Sequence, residues 1–183
     1  MSEFLKLASG LDVSSLALEI HRQPELWDQN PTRRTFENTP HADMTDIWIR
    51  FRAEEELRSL EDHKTEHRCV FWPAWYALPS LRPLVFGMMT KVQATELGSV
   101  LVTRLPQGGT IKTHTDAGAW APEFFNMKLH LILSGQAIVT CLEESQVFGK
   151  GDLFTFDNLK LHSVENHWPE DRIALIVSMR VEA

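Results

Sequence analysis

The sequence predicts a mainly β protein, a barrel or sandwich across its second half, preceded by a region that reads as helical or irregular. From Gly98 onward, short β-rich runs follow one another: "SVLVTRL", "TIKTHTD", "NMKLHLIL", "AIVTCL", "LFTF" and "RIALIVSMRV". The stretches "PQGG", "SG", "GKGD" and "ENHWPED" separate them. Many short strands punctuated by Gly and Pro turns are the mark of all-β layered folds. Before Gly98 this texture is missing.

In the first half, "DVSSLALEI" offers Asp12 or Ser14 as an N-cap ahead of an amphipathic turn. "NPTRRTFENTPHADM" is rich in turn formers and is expected to be a loop. "TDIWIRF" alternates and reads as a strand, with Ile47, Ile49 and Phe51 on one face and Trp48 and Arg50 on the other. The strongly charged "AEEELRSLEDHKTEHR" fits a helix or an exposed insertion. "LPSLRPLVFGMMTKVQATEL" reads as a helix with a proline near its start. At 183 residues the chain suits one domain. Residues 1–97 would be a largely helical extension with a flanking strand, and residues 98–183 the core.

Composition excludes several classes. Apolar content is 43% and charged content 23%, ordinary for a globular protein. A net charge of −7 argues against a general nucleic-acid binder. The longest apolar stretches, such as "CVFWPAWYALP", are short and interrupted by proline, so no membrane span is expected. "MSEFLKLASG" lacks the features of a signal peptide. Cys69 and Cys141 make no disulfide framework, which points to a reducing, cytoplasmic setting.

The chemistry concentrates in the β half. In "IKTHTDAGAW", His114 and Asp116 are two residues apart, so on an extended strand they project to one face. An imidazole beside a carboxylate is costly to bury unless something binds both, and a divalent metal does that. A second histidine, His162, follows in "GKGDLFTFDNLKLHSVEN", and Arg172 opens the last long strand. An HxD pair plus a distant His is the donor set of the 2-His-1-carboxylate facial triad, which holds one face of Fe(II) and leaves the others open. Arg172 could clamp a carboxylate with its planar fork. In "FNMKLHLIL", Asn126, Lys128, His130 and Ile132 share one face, opposite Met127, Leu129, Leu131 and Leu133. The polar face lines either a wet cavity or solvent. Trp48 and Arg50 are the candidates for a substrate-facing strand.

Other patterns weigh less. "HKTEH" matches an inverted zinc-peptidase motif, but its charged surroundings offer no apolar stripe to bury a catalytic helix. His41 and Asp43 form a second HxD pair in a turn-rich loop, near the mouth of a site at most. Trp72, Trp75 and Tyr76 suit core or lid packing.

Residues 98–181 resemble the aspartyl/asparaginyl β-hydroxylase family of 2-oxoglutarate/Fe(II) oxygenases, on the strength of "LPQGGTIKTHTD", "MKLHLIL", "GKGDLFTFDNLKLHSVEN" and "RIALIVSMR". The resemblance implies a double-stranded β-helix (jelly-roll, cupin-like) core. It implies that His114, Asp116 and His162 bind Fe(II), that Arg172 pairs with the distal carboxylate of 2-oxoglutarate, and that His130 contacts the cosubstrate's other end. Lys128 falls where the family often has an arginine near the substrate. The expected activity is hydroxylation of a C–H bond, with 2-oxoglutarate, O2 and a small-molecule or protein/peptide substrate as partners. The rivals are another metal-dependent cupin-type enzyme, which has no special use for Arg172, and a non-catalytic jelly-roll binding or sensor protein.

Overall fold

The computed structural model describes residues 2–53, 69–116 and 125–182. Its strands are β1 (Phe4–Ala8), β2 (Thr45–Arg52), β3 (Cys69–Phe71), β4 (Ala94–Leu105), β5 (Thr110–His114), β6 (Met127–Ser134), β7 (Gln136–Cys141), β8 (Glu144–Gly149), β9 (Leu153–Phe156), β10 (His162–Glu165) and β11 (Arg172–Val181). The helices are α1 (Ser14–His21), α2 (Thr32–Thr35), α3 (Ala74–Ala77) and α4 (Leu81–Lys91). The strands form two antiparallel sheets, a major one in the order β1-β9-β6-β11-β4-β2-β3 and a minor one in the order β5-β10-β7-β8. The protein is a mainly β jelly roll, as the sequence predicts.

Period-two alternation explains how the central strands of the major sheet divide their side chains. Leu129, Leu131 and Leu133 of β6, Leu175, Val177 and Met179 of β11, and Val100 and Val102 of β4 face one core. Leu16 and Ile20 of α1 and Leu81, Val85 and Met88 of α4 complete that layer. The opposite faces of β6 and β11 place Ile132 and Ala174 in a second core with Val139, Phe148 and Val164 of the minor sheet. In "RIALIVSMRV" the face toward the helical layer is apolar, whereas the inward face mixes Ala174 and Ile176 with the polar Arg172 and Ser178.

The first half is less helical than the sequence suggests. The opening residues supply β1, which pairs with β9 at the edge of the major sheet. The long expected helix stops at Lys91. Gln93 takes a positive φ of 55°, and "ATEL" already belongs to β4. "ESQVFG" is an unforeseen strand, β8, whose alternation is faint because Phe148 is buried while Val147 stays exposed. The charged stretch containing "HKTEH" falls, apart from Ala53, outside the described residues. Among those described, no helix is long and apolar enough to cross a membrane.

Gly135 makes the turn between β6 and β7. Its φ is +64°, and a Cβ there would lie 2.5 Å from the Asp171 carbonyl oxygen. Gly108 has a φ of +74° with nothing within 4 Å of its Cβ position. Gly108→Ala should carry only the left-handed backbone cost, about 1 kcal/mol. Gly135→Ala should lose a further ~1–3 kcal/mol to steric overlap. Urea unfolding of both variants checks this, and equal losses would contradict the close approach.

Candidate metal centre and its cavity

The cavity lies between the two sheets, with a volume of about 320 Å³. His114 ends β5 and His162 begins β10, and the two are directly paired across the minor sheet. Their ring centroids are 4.3 Å apart. Asp116 follows two residues after His114. Its amide donates to the Asn158 carbonyl at 2.9 Å, and the Asn158 side-chain amide donates to Asp116 Oδ2 at 3.2 Å. One donor atom from each of His114, Asp116 and His162 can be chosen so that all lie within 4.8 Å of one another. His114 Nε2 stands 3.5 Å from Asp116 Oδ1, and His162 Nε2 stands 3.9 Å from Oδ2.

Both imidazoles are oriented by the backbone. His114 Nδ1 lies 2.7 Å from the Lys112 carbonyl oxygen, and His162 Nδ1 lies 2.9 Å from that of Lys160. A carbonyl only accepts, so each Nδ1 carries a proton and each Nε2 is the nitrogen turned toward Asp116. That is how metal-binding histidines are usually held. Burial pulls the Asp116 carboxyl upward, but Lys128, His114 and His162 outweigh it and keep the group ionised, well below the usual carboxylate range. The donor set is two imidazole nitrogens and one carboxylate oxygen, which fits Fe(II).

The floor of the cavity comes from the inward stripes of the major sheet. Arg172, Ile176 and Ser178 of β11, Lys128 and His130 of β6, and Ser99 and Leu101 of β4 line it. Arg172 is 1% exposed. One of its terminal nitrogens donates to Thr103 Oγ1 at 3.1 Å, and its Nε has no partner among the described residues. Burial alone lowers its pKa, to about 10, so it keeps its charge. Among the described residues no carboxylate forms an ion pair with it. His130 stacks against Phe154 and Phe156, with each centroid 5.2 Å away, and its buried Nε2 also lacks a partner. Burial, then Lys128 and Arg172, push His130 well below the ordinary imidazole value, so the ring is neutral.

Three placements differ from, or add to, what the sequence suggests. Lys128 Nζ sits 2.5 Å from Asp116 Oδ2, so it serves the carboxylate of the cluster. Trp48 lies in the cavity wall, but Arg50 does not. The Arg50 guanidinium donates to the Gly98 carbonyl at 2.6 Å and lies over Phe71. The cause is a bulge: Trp48 pairs with Leu101 and Arg50 with Val100, which leaves Ile49 as the extra residue. A one-residue insertion reverses the alternation beyond it, and Phe51 joins Trp48 at the cavity with ring centroids 4.6 Å apart. His41 also enters the wall, its ring edge-on to His114 at 5.0 Å. Burial, then Arg33, lower its pKa to about 3. Its loop is docked along β5 by hydrogen bonds from Lys112 N to the Pro40 carbonyl and from Thr110 N to Asp43. The "HAD" motif was visible in the sequence, whereas its approach to His114 needed this docking.

The sequence pattern described as Aspartyl/Asparaginyl beta-hydroxylase matches residues 26–181. The chain belongs to this family. The aspartyl/asparaginyl β-hydroxylase match covers most of the first half as well as the β core, and it makes an oxygenase of the hydroxylase type the general activity class. Among solved structures, the fold is similar to an oxidoreductase of the 2OG-Fe(II) oxygenase family from Burkholderia pseudomallei. That match has 17% identity and a TM-score of 0.51, over 75% of this chain and 66% of that one. A smaller likeness is to a predicted oxalate decarboxylase from Thermotoga maritima, with 19% identity and a TM-score of 0.38, over 52% of this chain and 73% of that one. A comparison with curated proteins finds no match.

Asp116→Ala should abolish stoichiometric Mn(II) binding, because it removes the anionic donor. Asn158→Ala keeps the backbone tether of Asp116 but removes the side-chain one, and should weaken Mn(II) about 10–100-fold, as loss of an outer partner does. Calorimetric titration measures both. Unchanged affinity in the Asn158 variant would show that this tether does not orient the ligand.

Proposed function

We propose that the protein is a 2-oxoglutarate- and Fe(II)-dependent dioxygenase that hydroxylates a C–H bond of an amino-acid residue or an amino-acid-like small molecule. One observation carries the reading: a fully buried, charged Arg172, with no carboxylate partner among the described residues, opens onto the cavity that holds His114, Asp116 and His162. A buried guanidinium without an anion costs several kcal/mol. A dicarboxylate cosubstrate supplies the missing anion, and a generic metal-dependent cupin or a vestigial binding protein gives no reason to maintain this charge.

In this reading His114, Asp116 and His162 hold the metal, with Asp116 kept ionised and steered by Lys128 and Asn158. Arg172 pairs with the distal carboxylate of 2-oxoglutarate. Neutral His130, fixed by its two phenylalanine neighbours, gives one N–H to the cosubstrate's other end. Trp48, Phe51 and Met44 keep water from the reacting centre and face the substrate. Bound Fe(II) and 2-oxoglutarate supply the oxidation itself, consuming O2, releasing succinate and CO2, and placing one oxygen atom in the substrate C–H bond. Arg50, turned away from the cavity, has no part in it.

With Mn(II) in place of iron to prevent turnover, Arg172→Ala should weaken 2-oxoglutarate roughly 10–100-fold, the worth of a charge-assisted hydrogen-bond pair. Metal affinity should stay close to that of the parent. His130→Gln retains a donor and should keep part of the cosubstrate affinity, whereas His130→Leu should lose substantially more. A parallel loss of metal with 2-oxoglutarate affinity unchanged would make Arg172 a structural residue and remove the main support for the function.

A further inference from the structure

The family is named for an acidic and an amide residue. The cavity of this chain presents a different chemistry to whatever enters it. Among the described residues its cations are already engaged. Arg33 meets Asp46 Oδ2 at 2.5 Å, and the other oxygen of that buried carboxylate accepts from Trp48 Nε1 at 2.9 Å. Lys128 is held by Asp116. Arg172 belongs, in the functional reading above, to the cosubstrate. Arg52 also reaches the wall and has an interaction of its own. Around these groups the wall is mostly apolar, with Phe36 at the rim, then Met44, Trp48, Phe51 and Phe125, and its remaining polar side chains, such as Ser99 and Ser178, are neutral.

We propose that the substrate presents a neutral, apolar group to the metal centre, such as an aliphatic or aromatic side chain or its small-molecule equivalent, and not a carboxylate. The proposal rests on the reading of Arg172 as the 2-oxoglutarate clamp. Among the described residues, a carboxylate entering this cavity either sits desolvated without a partner or takes a cation from the group that already holds it, as when Arg33 leaves Asp46 and strands a buried carboxylate in turn. Both outcomes are unfavourable, because breaking one member out of a buried ion pair costs more than the pair is worth. An apolar group gains from leaving water and displaces no existing bond. Trp48 and Phe51 offer it aromatic faces and edges.

The test uses the full chain loaded with Mn(II) and 2-oxoglutarate, and four blocked amino acids as probes. These are N-acetyl-L-leucinamide, N-acetyl-L-phenylalaninamide, N-acetyl-L-asparaginamide and the α-amide of N-acetyl-L-aspartic acid. Mn(II) broadens the proton resonances of a probe bound beside it, and titration of that broadening gives the affinity. The leucine or phenylalanine probe should bind at least about tenfold more tightly than the aspartyl probe, a difference of ~1.4 kcal/mol. Phe36 is 47% exposed, so Phe36→Arg should fold. It should narrow or reverse the preference by adding a cation at the rim. An aspartyl or asparaginyl probe that binds the parent protein as tightly as the apolar ones overturns the proposal, and so does failure of all four to bind. Failure of 2-oxoglutarate itself to bind the Mn(II)-loaded chain is a separate result. It counts against the proposed function, and the probe ranking is then read with Mn(II) alone.

Discussion

The Asp116 carboxylate is the interaction on which the centre depends. It is a negative charge placed between two sheets, and each of its neighbours comes from a different part of the chain. Lys128 reaches it from β6 of the major sheet, His114 and His162 from the paired strands of the minor sheet, and Asn158 from the loop before β10. Burial alone would favour protonation of this group. The surrounding cation and imidazoles reverse that preference. Because Lys128 and Asn158 both bond Oδ2, Oδ1 is left toward His114, which biases the carboxylate to offer a metal one oxygen.

The opposite charge, on Arg172, depends on how the major sheet is covered. Its central strands carry apolar residues to the helical layer on one face, and to the minor sheet or the cavity on the other. An arginine on the inward stripe of β11 is thus buried from the moment the sheets close, and Thr103 satisfies only part of it. The unmet hydrogen-bonding capacity of Arg172 and of His130 falls in the same cavity as the metal donors. A protein selected for stability alone would replace such groups by apolar ones of similar volume, so their retention speaks for a ligand.

The sequence made part of this legible. The clustering of His114, Asp116 and His162 was suggested by the HxD pair and the distant histidine, although β5 ends at His114 and Asp116 reaches the cluster from beyond the strand, and "MKLHLIL" declares its polar and apolar faces by simple alternation. Other features depend on pairing that no local pattern encodes. Trp48 and Arg50 look equivalent on an ideal strand, and only the bulge at Ile49 sends one into the cavity and the other to Gly98 and Phe71. Lys128 looks like a substrate contact until Asp116 is placed beside it. His41 sits in a loop docked onto β5 by one backbone bond, to the Pro40 carbonyl, and by the Asp43 carboxylate, and no local pattern shows that these meet β5. The strands β1 and β8 show little alternation because they lie at the sheet edges, where Leu5 and Val147 stay exposed.

The most direct test of the account is anaerobic titration of the metal-free chain with Fe(II) and then 2-oxoglutarate, followed in the visible region. Chelation of iron by the cosubstrate in a site built from His114, Asp116 and His162 should give a metal-to-ligand charge-transfer band that saturates at one equivalent of each. The band should be lost in Asp116→Ala and need far more 2-oxoglutarate in Arg172→Ala. A parent protein that binds Fe(II) but develops no band at saturating 2-oxoglutarate would contradict the central claim.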